Sequence, residues 1–133
     1  MQAIAERVAA IMVGLQANTI GGTAWVVVGS GVGGAPPFTN GWAVAFGHTV
    51  RFRQDAAGNV HLRGVVNGGA SGTSVFTLPV GMRPNQQTNI AVMANGSTGT
   101  ATLAVMPTGL VVITFGGTGA NLAGLDSVFS PLP

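Results

Sequence analysis

Two histidines, His48 and His61, and three acids, Glu6, Asp55 and Asp126, are the side chains of this 133-residue chain best suited to proton transfer. There is no Cys, no Tyr and no Lys, and all five cations are Arg. A hydrolytic triad would have to join a Ser to His48 or His61 and to Asp55 or Asp126. No Ser lies in the Gly-x-Ser-x-Gly setting that presents a nucleophile at a sharp turn. A metal centre needs clustered His and carboxylate ligands, yet only Asp55 stands between the two His. Glycoside cleavage by paired carboxylates would rely on Asp55 and Asp126, and Asp55 is better explained as a turn-starting residue. Residues 29–34, Gly-Ser-Gly-Val-Gly-Gly, match G-x-G-x-x-G after a strand. That motif must open a helix to hold phosphate, and here Ala35-Pro36-Pro37 follows. The expectation is a chain that is not an enzyme and uses no metal or cofactor.

The remaining charged groups have a definite arrangement. Val50 and Phe52 alternate with Arg51 and Arg53, and Val60 and Leu62 alternate with His61 and Arg63. A three-residue loop of Ala56, Ala57 and left-handed Gly58 is a common hairpin connection. It pairs Phe52 with Leu62 on one face, and Arg51 with Arg63 and Arg53 with His61 on the other. A loop one residue longer would mix apolar and polar side chains on both faces. Like charges directly across a strand pair are unfavourable, so this face calls for compensation. An oligomer contact through Arg51, Arg53, His61 and Arg63 supplies it in one reading. An anionic or sugar ligand held by the Arg forks does so in another, and solvated heads on apolar stems in a third.

Only 6% of the residues are charged, while 47% are hydrophobic and 22 are Gly. Ordinary globular chains carry about 25% charged residues, so much of this surface is expected to face protein rather than water. Five scattered Arg and a net charge of +2 make a poor nucleic-acid surface. No run approaches the roughly 18 apolar residues of a membrane span. Residues 1–17 read as an amphipathic helix in which Ile4, Val8, Ile11 and Leu15 form a heptad seam, with Val8 and Leu15 at a and Ile4 and Ile11 at d. Two heptads are too short to stand alone, so the helix is expected to assemble with copies of itself or dock on a larger body. Packing on its own domain is the plainer alternative.

Everything after Phe38 is patterned as strand and turn. Trp42, Val44 and Phe46 alternate toward one side, with Trp42 expected in the core. Leu103 pairs with Ile113, and Val105 with Val111, around a second three-residue loop ending in Gly109. Residues 67–72 and 116–119 read as flexible links, and residues 122–129 as the closing strand. Short strands at regular spacing imply an antiparallel sandwich. Residues 1–22 are then an oligomerisation or docking helix with its linker, and residues 23–133 one β domain.

Residues 40–84 also carry a family pattern: Asn40-Gly41-Trp42, then Val-x-Phe-Arg-x-Asp-x-x-Gly-x-Val-x-Leu-x-Gly, a Gly-rich gap, and Phe76-Thr77-Leu78-Pro79-x-Gly81-x-Arg83-Pro84. With the final Leu122-x-Gly124-Leu125 strand, this resembles the C-terminal receptor-binding β-sandwich of bacteriophage tail fibre proteins. The resemblance implies a jelly-roll-like antiparallel sandwich, a homotrimer, and a place on the phage particle surface. It further implies other virion proteins as partners through the N-terminal helix, and a host-cell glycan or protein as receptor. The loops expected to face that receptor hold Asn67, Ser71, Asn85, Gln86, Asn95 and Ser97. The chain opens at Met1 with a very short stalk, whereas this family sets the domain at the end of long shafts. A capsid-mounted head fibre or decoration protein is therefore an alternative reading. A secreted carbohydrate-binding module, monomeric and with an exposed aromatic platform, is another.

Overall fold

The computed structural model describes residues 22–131. The expected N-terminal helix and its seam of Ile4, Val8, Ile11 and Leu15 lie outside the described residues. Eleven antiparallel strands make up the rest: β1 (Val26–Val27), β2 (Ala43–Val44), β3 (Arg51–Gln54), β4 (Val60–Arg63), β5 (Val65–Asn67), β6 (Thr73–Thr77), β7 (Thr88–Met93), β8 (Thr100–Val105), β9 (Leu110–Phe115), β10 (Leu122–Gly124) and β11 (Ser127–Phe129). Among the described residues there is no helix. One layer is the β6-β9-β8-β7 sheet, three hairpin-linked strands with β6 returned beside β9, which is a Greek key. The other layer joins β1-β3-β4-β11 to β10-β5-β2.

The second layer is one long ribbon broken at Gly64. Residues 60–67 pair with residues 122–129 in a single register, from Phe129 opposite Val60 to Leu122 opposite Asn67. At the break, Gly64 has φ +123° and an added Cβ would stand 2.5 Å from the Thr49 carbonyl oxygen. The ladder is mended by the Asp126 side chain, whose Oδ1 accepts the Gly64 N–H at 3.0 Å, while Leu125 N–H donates to Gly64 O at 2.8 Å. On its other side the ribbon pairs with β3 and then with β2, and the neighbouring chain loops out between them. Val44 lies opposite Val66 and Arg51 opposite Arg63, so residues 45–50 make an excursion. Ala45 N–H still bonds Val65 O, and His48 N–H closes a turn on Ala45 O at 3.1 Å. Phe46 (φ +51°) and Gly47 (φ +71°) occupy the centre of that turn.

Both hairpins have the expected register. Phe52 faces Leu62 and Arg53 faces His61; Leu103 faces Ile113 and Val105 faces Val111. The two turns are built alike. Gly58 N–H bonds Asp55 O at 3.0 Å and Gly109 N–H bonds Met106 O at 2.8 Å, each Gly at φ +93°. The core fills between the layers, with Phe52 and Phe76 stacked at 5.7 Å and Leu62, Leu78, Leu103, Ile113 and Leu125 all inaccessible to solvent.

Trp42 is buried as expected, donating its Nε1–H to Thr73 Oγ1 at 2.9 Å. The alternation beyond it fails. Ala45 is the buried residue of the segment, while Val44 is 38% and Phe46 79% exposed, because the turn at Ala45 resets which way the chain faces. The link at residues 116–119 is also tied down: Thr118 N–H bonds Ser97 Oγ at 2.9 Å and Ser97 N–H bonds Thr118 O at 3.0 Å.

Gly69 is the tightest backbone position, since a methyl there would fall inside the Trp42 indole. Gly69→Ala is expected to cost at least about 1–3 kcal/mol by overpacking. Gly31→Ala, at φ +72° with open space around it, should cost only about 1 kcal/mol of backbone strain. Urea unfolding followed by Trp fluorescence compares the two, and equal midpoints would remove Trp42 from the role of keystone.

Candidate functional site

The described charges are concentrated on one layer. Arg51, Arg53, Asp55, Arg63 and Asp126 all belong to β3, β4, the turn between them, or the residue before β11, and Arg83 is the exception. Arg83 is structural, donating Nε–H to Leu78 O at 2.9 Å. Residues 84–125, which supply three of the four strands of the Greek-key sheet, carry no charge.

On the charged face the side chains form two cross-strand rows. Arg53, His61 and Val128 are neighbours in one; Val27, Arg51 and Arg63 are neighbours in the other. Asp126, one residue ahead of the Ser127–Leu62 pair, falls beside Arg63. The compensation that the sequence calls for lies partly within the chain. Trp25, one residue before β1, sits under both guanidinium groups, 4.9 Å from Arg51 Cζ and 5.7 Å from Arg53 Cζ. Such contacts contribute about 0.5–1 kcal/mol at exposed sites. Arg51 Nη1 also donates to Thr49 Oγ1 at 2.8 Å. His61 Nε2 lies 2.8 Å from Asp55 Oδ2. Asp55 Oδ1 takes the Ala57 and Asn59 N–H groups, so this one carboxylate both starts the turn and holds the imidazole. Arg63 is exposed and makes no hydrogen bond or ion pair among the described residues.

Two hollows meet at the Gly64 break. A polar cleft of about 180 Å³ is lined by His48, Thr49, Arg51, Arg63 and Asp126. An apolar groove of about 480 Å³ runs against Ala91, Val92, Met93 and Gly124. They share Gly64, Val65 and Asp126 as their common wall. The groove is within the size range of small-molecule sites, about 300–1,000 Å³, and the cleft is smaller than that range. Asp126, weighed from sequence as a catalytic acid, is a backbone clamp at the centre of a concave site. Val65 and Met93 carried no sequence signal of such a place. The one available hint was Gly64 in the middle of an otherwise β-patterned run.

The loop residues expected to face a receptor differ in availability. Asn95 Oδ1 accepts the Asn121 and Leu122 N–H groups at 2.9 and 3.0 Å, and its Nδ2 donates to Asn121 Oδ1. Ser97 holds Thr118, and Ser71 Oγ accepts the Phe115 N–H at 2.9 Å. These three side chains fasten loops to one another. Asn67 lies within β5, paired on both sides. Asn85 and Gln86 are exposed, and their side chains make no hydrogen bond among the described residues. The loop at residues 29–34 is followed by extended chain rather than a helix.

The His61 imidazole N–H holds the Asp55 carboxyl below its ordinary range, against a smaller push upward from desolvation, and the Asn59 and Ala57 N–H groups add to the lowering. A depressed carboxylate stabilises the fold above its unfolded pKa, near 3.9, and that contribution is lost as pH falls through the folded value. Thermal unfolding should therefore show a loss of stability as pH falls below the ordinary carboxylate range, and Asp55→Asn should reduce it. An unchanged acid limb in the variant would place the titration elsewhere.

No protein-family model and no curated protein matches the sequence. Among solved structures, the chain is similar to the crystal structure of the receptor binding protein (gp15) of Listeria phage PSA. The match covers 96% of this chain and 76% of that one, with a TM-score of 0.65 and 17% sequence identity. At that identity the likeness is one of fold.

Proposed function

We propose that this chain is a non-enzymatic attachment protein on the surface of a phage particle, recognising a component of the host cell envelope through its β-sandwich. The observation that carries the reading is the fold likeness to a phage receptor binding protein, found over nearly the whole chain. It agrees with the tail-fibre pattern of residues 40–84. A homotrimer, joined to other virion proteins through residues 1–17, is the assembly this reading requires. Its support is the scarcity of charge, together with large apolar side chains left open on the single chain: Val32, Val80 and Val128 are each more than half exposed. Attachment through several copies multiplies weak sites into firm binding, so a shallow recognition surface suffices.

A monomeric carbohydrate-binding module is the second reading, favoured by the exposed Phe46 ring. Light scattering separates the two. The attachment reading expects three times the chain mass and specific retention of labelled protein on susceptible bacteria. A monodisperse monomer that binds purified glycans but no intact cell would replace it with the second reading.

A further inference from the structure

The composite hollow at Gly64 has a chemistry of its own. Arg51 and Arg63 stand directly opposite on paired strands, an arrangement that like charges disfavour. The head of Arg51 is fixed in advance, stacked on Trp25 and tied to Thr49. Arg63 is left without a partner among the described residues. The carboxylate between the hollows is oriented by its Oδ1 bond to Gly64 N–H, which leaves Oδ2 without a donor among the described residues. Two residues before His48, which lines the cleft, Phe46 stands at φ +51° and is 79% exposed. A bulky residue in that conformation is an outlier, and such strain persists where a site is built.

From this arrangement we infer that the Gly64 hollow binds a saccharide bearing an acidic group. Arg51 and Arg63 hold the oxyanion in the cleft, and a neighbouring sugar lies in the groove with a hydroxyl donating to Asp126 Oδ2. The linings assign the parts. The cleft carries both guanidinium groups and so suits the oxyanion, while the groove of about 480 Å³ beside Val92 and Met93 accommodates a ring. Guanidinium forks suit both oxyanions, so the acidic group is either a carboxylate or a phosphate ester. The inference rests on the attachment reading and gives it a ligand class.

The test uses the full chain, with immobilised polygalacturonate as the carboxylate probe, phosphomannan as the phosphate probe and dextran as the neutral control. Wild-type protein should be retained by one acidic polymer and not by dextran, and the retaining polymer identifies the oxyanion. Arg63→Gln should weaken retention at least about tenfold, the worth of a charged hydrogen bond. Arg53→Gln removes the same charge from the same face but lies outside the cleft, and should weaken it far less. Asp126→Asn, which keeps an oxygen for Gly64 N–H, should lower polymer retention while inorganic phosphate still competes for what remains. Far-UV circular dichroism and unfolding midpoints establish that each variant is folded. Equal losses for Arg53→Gln and Arg63→Gln, or no retention on either acidic polymer, would overturn the site. Failure of the two readings is distinguishable. If folded Arg63→Gln still attaches to host cells as well as wild type, the subsite falls and attachment stands. If wild type binds the polymer through Arg63 but attaches to no cell, the subsite stands and attachment falls.

Discussion

The bond between Asp126 and the backbone of Gly64 is the constraint on which the rest of the second layer turns. The strand of residues 60–67 has partners on both sides, and at Gly64 one neighbour approaches too closely for any side chain. A straight ladder is impossible there, and an unpaired N–H in a half-buried strand would be costly. The carboxylate satisfies that N–H from the far strand. Register is thereby kept across the break, with the same pairing offset before and after it. The excursion of residues 45–50 on one side and the two hollows on the other follow from this bend.

Charge is distributed as unevenly as shape. The ribbon layer holds nearly every described ion, and the Greek-key layer presents Thr, Ala, Asn and Met to its surroundings. The ions are not evenly balanced among themselves. Trp25 answers Arg51 and Arg53, and Asp55 answers His61, whereas Arg63 and one oxygen of Asp126 remain over. The compensation within the chain is partial, since the buried Nε atoms of Arg51 and Arg53 have no hydrogen-bond partner among the described residues.

The parts legible in the sequence were those fixed by local rules. Alternation and a left-handed Gly three residues into a loop determined both hairpins, because a slip of one residue would have turned Phe52 or Leu103 outward. Trp42 is buried as expected, but the alternation that put Val44 and Phe46 beside it does not hold. What escaped was set by distant chain. Ala45 is buried and Phe46 exposed because Val65, twenty positions on, captures the Ala45 N–H. β5 was hidden between two glycines, and nothing local distinguishes Val65 and Val66 from linker until residues 43–44 and 122–124 pair with them. The concave site, being made where these long-range pairings fail to stay straight, could not be read from either segment alone.

The same long-range pairing has a consequence for how the chain reaches its native state. The two hairpins close over short loops and can form early and independently. The central ribbon strand receives its second partner only from residues 122–129, and loop closure over that separation is slow compared with hairpin formation. Until that strand arrives, β4 and β5 present an open hydrogen-bonding edge with Val60, Leu62 and Val66 uncovered, the kind of edge that recruits other chains. In the native chain the Asn95 and Asn121 side chains pin the approach to β10, so the strand that covers this edge is held at its entry by side-chain bonds as well as by its ladder.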